Sequence, residues 1–452
     1  MSKKFKSNKV LHQNKILYFK LFMLWRNYMI FKDISLRQMK YMLVIMVITS
    51  GVLFASNKVQ KPSIDKTAKS QDTLSIENRA YFAGRIYSAI KKNFAHWDNI
   101  PDFDLDSAFQ SYLNKAMTAK SRKEFSMASL KFVADLNNSH SGFWDTDLLK
   151  DVGGFHGFSV RYISGQWIID QSSIDNLHPG STISAINNVP IELFYQKNKK
   201  YISASTERYR RYRLFDYWQR FLFPVKYKIT LNSGKQIKIN RSKDNTIKSP
   251  EKTMKTSGRW IIENNIAYIK IPAWSENRFE KKALLLLSKF KNAHSLVIDV
   301  RNNSGGSSPL KLIGALMERK WRWWTESTPL HIAVHSYYAK TDPNYAEFLK
   351  PHLKWSSFPE KGDSLFLGKI VILMNEGSHS ASEDFIMPFK DNGRAILVGR
   401  ATAGSTGQPF VQSFGNGMGV AIGTKREYFP DGSSFEGFGI QPDIKVYQPQ
   451  KV

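Results

Sequence analysis

Three serines, Ser378, Ser380 and Ser382, sit in the stretch "NEGSHSASEDF" (375–385), directly after the apolar run "KIVILM" and directly before a helical pattern. A serine at such a strand-to-helix corner is presented at a sharp turn, and the helix N-terminus favours negative charge developing beside it. The next backbone N–H, that of Ala381, is free to donate to an oxyanion. The same residues also spell a capping box, S-x-x-E from Ser380 to Glu383, and on this stretch alone capping is the stronger reading. A second site has to decide.

That second site is "DVRNNSGGSS" (299–308). Gly305 and Gly306 free the backbone after a buried strand, and Ser308-Pro309 reads as a cap followed by proline at the first helical position. No Lys-Ser/Thr follows to make a phosphate-binding P-loop, so the loop suits an oxyanion better than a nucleotide. A tight β-to-α turn alone would also demand the glycines. A serine nucleophile further needs a base, histidine or lysine. The Gly-x-Ser-x-Gly elbow is absent. The ten histidines show no H-E-x-x-H spacing and no carboxylate cluster beside them, so neither a metal nor another cofactor is expected. The chain has no cysteine, which excludes thiol catalysis, disulfides and a lipid anchor on cysteine.

The elements that must position these residues follow from periodicity. Residues 57–75 are polar and read as a linker. From 76 to 150 apolar residues recur at helical spacing, and this helical subdomain ends in the loop "NNSHSGFW". Residues 153–245 alternate like strands, and "NLHPGSTISAINNVPIELF" is similar to the PDZ pattern, with Asn188 where a glycine usually turns the chain. The basic, aromatic stretch 204–221 reads as an amphipathic helix with arginines snorkelling off its edge. From 258 to 447 strands and helices alternate, which argues a βαβ core with a largely parallel sheet. The two loops bearing Gly305 and Ser380 should then lie at its carboxyl edge, where α/β sites form.

Three segments now combine: "LVIDVRNNSGG", "VILMNEGSHSASEDFIMPFKDNGRAILVGRATAGSTGQ" and "REYFPDGSSFEGFGIQPDIKV", in that order. Together they resemble the core of the serine peptidase family that contains the tail-specific (C-terminal processing) and tricorn-like proteases. The resemblance implies an α/β chain (α+β, multidomain), with a ClpP/crotonase-like βαβ catalytic core, an N-terminal helical subdomain and a PDZ-like segment. It places the nucleophile, the first serine of S-A-S-E, on Ser380. The processing branch takes its base from a lysine in T-F-G-K, but "TAGS" puts Ser405 at that position. The tricorn-like branch uses a histidine from an upstream Ser-His pair and a downstream glutamate, which fall on Ser139-His140 and Glu436. In that frame His140 takes the proton of Ser380 and Glu436, through Ser139, orients the imidazole. Gly305 or Gly306, with Ala381, then forms the oxyanion hole. The function implied is an exported or envelope-anchored serine endopeptidase acting on peptides or proteins. The alternative is a catalytically inactive peptide- or ligand-binding protein, since the lysine is missing and the family has non-enzymatic, retinoid-binding members.

The ends and the charge complete the expectation. The uncharged run 41–55, preceded by Lys32, Arg37 and Lys40, is too short for an ordinary span and fits a signal-peptide core, with Met39 as an alternative start; an uncleaved membrane anchor is the other reading. Both place the remainder in the periplasm or cell envelope. The net charge of +28 is spread along the chain without a nucleic-acid-binding signature, so no nucleic-acid partner is expected. The tryptophans of "KWRWWTE" (320–326) are expected in the core rather than in a specificity pocket.

Overall fold

The computed structural model describes residues 74–150, 152–242, 254–327 and 364–446. The apolar run 41–55 and nearly all of the linker 57–75 lie outside them. Among the described residues no helix is long and apolar enough to cross a membrane.

Three helices come first, α1 (Ile76–Asn93), α2 (Leu105–Thr118) and α3 (Arg122–Ala134). Ser75, Asp104 and Ser121 cap them by accepting N–H groups of Asn78, Ser107 and Glu124 at 3.2, 3.1 and 3.2 Å. These bonds satisfy donors that a first helical turn leaves without partners. The apolar stripes close on Phe82, Ile86, Ile90, Phe125 and Val133, and Met418, Val420 and Ile422 from far along the chain complete the same core. They arrive because β1 (Gly142–Asp145) pairs antiparallel with β15 (Met418–Gly423), itself paired with β14 (Pro409–Gly415). Asn416 and Gly417, at φ 51° and 76°, turn that hairpin with the backbone twist a tight hairpin favours.

Next, β2 (Phe158–Ile163), β3 (Gln166–Ser172), β4 (Thr182–Ile186), β6 (Lys226–Leu231) and β7 (Gln236–Asn240) form an antiparallel sheet in that order, with β5 (Val189–Pro190) folded onto β4. Asn187 and Asn188 turn the β4–β5 hairpin at φ 48° and 66°. Trp167, Ile169 and Ile229 share a core with Tyr195 of α4 (Ile191–Asn198).

The arginine-rich stretch corrects the expectation of a snorkelling amphipathic helix. The α-helix is short, α5 (Glu207–Arg213), and its arginines turn inward. Arg208 Nε donates to Thr402 O at 3.0 Å, Arg210 Nε to Ile202 O at 3.1 Å and Arg213 Nη1 to Ser203 O at 2.6 Å. Arg211 pairs with Glu192 at 2.7 Å and lies over the rings of Tyr162 and Tyr195. Loop carbonyls with no ladder partner must find donors, and guanidinium groups supply several each.

The remaining sheet runs β17 (Ile444–Lys445), β13 (Ala395–Gly399), β12 (Lys369–Met374), β10 (Ser295–Asp299), β9 (Ile266–Lys270), β8 (Ser257–Ile262). It is parallel except for the antiparallel edge pair β8–β9. Leu296, Ile298, Ile370 and Ile372 are buried, as strands covered by crossover helices must be. The helices are α6 (Asn277–Lys289), α7 (Leu310–Leu316) and α8 (Ala381–Asn392), and β11 (Thr325–Ser327) pairs with β16 (Arg426–Tyr428) outside the sheet. The architecture is the mixed α/β one expected. One local expectation fails: α7 begins after Pro309, and the Ser308 hydroxyl donates to Asp384 Oδ2 at 2.6 Å instead of capping. Because β10 and β12 are neighbours, the loops that follow them meet at the carboxyl edge of the sheet.

Candidate active site

The three serines have different partners. The Ser378 hydroxyl donates to Val300 O at 2.8 Å, tying its loop to the end of β10. The Ser382 hydroxyl donates to Asn303 O at 2.8 Å and accepts from Trp274 Nε1 at 3.0 Å. Ser380 Oγ instead faces His140 Nε2 at 3.0 Å. Ser380 sits at φ 57° and ψ −125°, in a region that a residue with a side chain rarely adopts. The turn is held by the Ser380 N–H, which donates to Glu383 Oε2 at 3.2 Å and to Ser405 O at 3.3 Å. Capping and nucleophile presentation therefore coexist: Glu383 serves the backbone of Ser380, and the hydroxyl stays available.

His140 reaches this point from the loop between α3 and β1, fixed by its N–H to Asn138 Oδ1 at 3.0 Å. Its ring stacks on His379 with centroids 4.7 Å apart, and His379 stacks on Tyr209 at 4.9 Å. Burial pushes the imidazole down to about 4, with the Arg213 guanidinium adding to the effect, so the ring is neutral at pH 7. Its second nitrogen, Nδ1, lies 3.0 Å from Ser405 Oγ.

Glu436 is buried behind this pair. Its Oε1 accepts from the Ser205 hydroxyl at 3.1 Å and from Asn138 Nδ2 at 3.3 Å, and its Oε2 accepts from Thr406 N–H at 3.1 Å. Burial, then the Glu383 carboxylate, lifts Glu436 well above the ordinary carboxylate range. The expected path from Glu436 through Ser139 to the imidazole is corrected: Ser139 Oγ accepts the Ser205 N–H at 2.8 Å and meets Ser205 Oγ at 3.2 Å, and the hydroxyl found at His140 is that of Ser405. Ser405 entered the sequence reading only as a missing lysine, and Ser205 not at all.

The glycine loop lies against the nucleophile turn. A Cβ on Gly305, at φ +96°, would stand 2.7 Å from Ser380 Cβ and 3.0 Å from Ala381 N. The Gly305 N–H is taken by Asn303 Oδ1 at 3.0 Å. Among the described residues the N–H groups of Gly306 and Ala381 have no hydrogen-bond partner. Such unpaired donors beside a nucleophile suit a developing oxyanion.

Residues 265–446 match the profile of Peptidase family S41. Over this segment the chain is similar to that family. It is 28% identical over 186 residues to the carboxyl-terminal-processing protease of Synechocystis sp., covering 41% of this chain and 39% of that one. It is 29% identical over 229 residues to the "Probable CtpA-like serine protease" of Staphylococcus haemolyticus, covering 49% and 40%. The matches thus span about 40% of these relatives' own lengths. Mature CPAF superposes with a TM-score of 0.58 at 15% identity, over 82% of this chain and 93% of that one. The photosystem II D1 C-terminal processing protease does so with a TM-score of 0.50 at 17% identity, over 81% and 93%. These structures share the fold.

A cavity of about 250 Å³ opens directly beside His140, between β1 and the segments around residues 201–203 and 218–221. Phe143, Trp144, Leu149, Tyr201 and Phe221 give it apolar walls, and Arg213 is its cationic residue. Asp145, its carboxylate, is already held by Arg122 at 2.7 Å and by the Ser126 hydroxyl at 2.6 Å. Trp321 and Trp323 lie in the core of the parallel sheet and do not line this cavity. Among the described residues no group of three or more histidines and carboxylates is placed to hold a metal ion.

Proposed function

We propose that the chain is a serine endopeptidase with Ser380 as nucleophile, His140 as general base and Glu436 as the supporting carboxylate. The observation that carries this reading is the 3.0 Å approach of Ser380 Oγ to the neutral Nε2 side of His140, at a strained turn beside two unpaired N–H groups. Ser380 Oγ would attack the peptide carbonyl while its proton moves to His140 Nε2. The oxyanion is met by Ala381 and Gly306 N–H groups, each donor of this kind contributing roughly 3 to 4 kcal/mol. His140 then returns the proton to the leaving amine, and water hydrolyses the acyl-serine with the same base.

Peptides or unfolded protein segments are the substrates this site suits, with the cavity beside His140 receiving a side chain. The tricorn-like arrangement of base and carboxylate belongs to the proposal, as does a peptide-binding, PDZ-like role for the β2–β7 sheet. Export to the cell envelope, through a cleaved signal or an anchor at 41–55, is proposed from the sequence of that segment.

The test is a fluorophosphonate probe on the purified chain, compared with Ser380→Ala, alongside a peptide-library digest. Labelling and cleavage should both vanish in the variant. Equal labelling and equal cleavage by the two proteins would overturn the reading, and ligand binding without any turnover would favour an inactive binding protein.

A further inference from the structure

We propose that the Ser405 hydroxyl is the positioning group of His140, fixing the tautomer that accepts a proton at Nε2. The inference rests on the peptidase reading of Ser380 and His140.

The imidazole lies between two hydroxyls, Ser380 Oγ at 3.0 Å from Nε2 and Ser405 Oγ at 3.0 Å from Nδ1. Only the tautomer with hydrogen on Nδ1 leaves Nε2 able to take the proton of Ser380. Ser405 Oγ must then accept from Nδ1–H. The bonds then run in one direction, Ser380 to Nε2 and Nδ1 to Ser405. The opposite tautomer would aim an Nε2–H at the nucleophile and block the attack. During acylation the travelling proton goes from Ser380 to His140 and on to the leaving amine, while Ser405 keeps its own.

Ser405 is built into place by its backbone. Its N–H donates to Glu383 Oε2 at 3.0 Å, its carbonyl accepts the Ser380 N–H at 3.3 Å, and it is fully buried. None of these contacts uses the hydroxyl, so deleting it removes the link to the ring and leaves the loop frame intact. Ser139 offers no substitute, because its hydroxyl is engaged with Ser205, which reaches Glu436 by a separate route.

The test uses the full chain with Ser405→Ala and Ser405→Thr. Nitrogen-15 histidine NMR, with the His140 signals assigned by their loss in His140→Gln, reads the tautomer independently of turnover. The wild type should hold hydrogen on Nδ1, Ser405→Ala should lose that preference, and Ser405→Thr should restore it. With active enzyme counted by the fluorophosphonate probe, kcat of Ser405→Ala should fall on the order of 100-fold with KM little changed. An unchanged tautomer in Ser405→Ala overturns the proposal even if activity falls. A wild type that neither labels nor cleaves, yet loses its tautomer in Ser405→Ala, sinks the peptidase reading and leaves the positioning role standing.

Discussion

Glu383 Oε2 accepts the N–H of Ser405 at 3.0 Å, so one carboxylate, three residues after the candidate nucleophile, anchors the loop that faces the imidazole. The same carboxylate takes the N–H groups of Ser380 at 3.2 Å and Gly404 at 2.8 Å, and the Thr402 hydroxyl at 2.5 Å. Glu383 is wholly buried, and burial outweighs these donors and lifts it to about 7. A carboxyl raised in the folded state contributes stability that is fully present below its unfolded value of 4.5 and is lost as pH rises through about 7.

Glu383→Gln removes that titration. Across the window from 4.5 to about 7, wild type should lose about 3 kcal/mol of stability relative to the variant. The variant should still be the less stable protein at low pH, because an amide nitrogen cannot accept from these donors. Urea unfolding of both proteins at pH 5 and pH 8 measures the difference, and parallel pH dependence would refute the assignment.

The acid limb of kcat/KM should belong to a carboxyl rather than to the histidine. His140 sits near 4, whereas Glu436 is held well above the ordinary carboxylate range, so activity should appear as Glu436 loses its proton with rising pH. Glu436→Gln should lower the plateau about 100-fold and abolish that limb. A pH–rate profile in which the variant keeps the wild-type limb would assign it to another group.

Gly305→Ala should disable the site while sparing the fold. The added Cβ would lie 2.7 Å from both His379 O and Ser380 Cβ, at a φ of +96° that a side chain tolerates poorly. The nucleophile turn must shift, and kcat should fall roughly 100- to 1,000-fold, the range seen when an oxyanion donor is lost. Circular dichroism checks the fold, and wild-type turnover would show that the turn absorbs the methyl group.

Gly142→Leu probes the cavity beside His140. A Cβ at Gly142 meets nothing within 4 Å, and the residue lines the cavity of about 250 Å³, so a leucine can enter it without a clash at the backbone. KM for good peptide substrates should rise about tenfold, the scale of one or two misplaced apolar groups in a pocket, while fluorophosphonate labelling stays near wild type. Unchanged KM across a peptide panel would remove the cavity from substrate binding.

Much of the parallel sheet was legible because its signal is local. "SLVID" and "KIVILM" are buried strands by composition alone, and their adjacency brings the glycine loop to Ser380. The inward arginines of α5 were not legible, since helical spacing reports which face a side chain leaves from and not which loop carbonyls lack donors. The partner of β15 lies at residues 142–145, and sequence periodicity carries no information about pairing over such separations. For the same reason Ser405 could be seen as a departure from a pattern but not as the neighbour of His140.

The seating of β1 by β15 also has a consequence for the order of synthesis. Ser380 and His140 are 240 positions apart, and the strand that clamps β1 beside the helical core lies beyond both. A chain emerging N-terminus first has made its serine before it has made the segment that seats the histidine. On the ribosome such a polypeptide carries both residues of the proposed Ser380–His140 pair before the strand that seats the histidine exists.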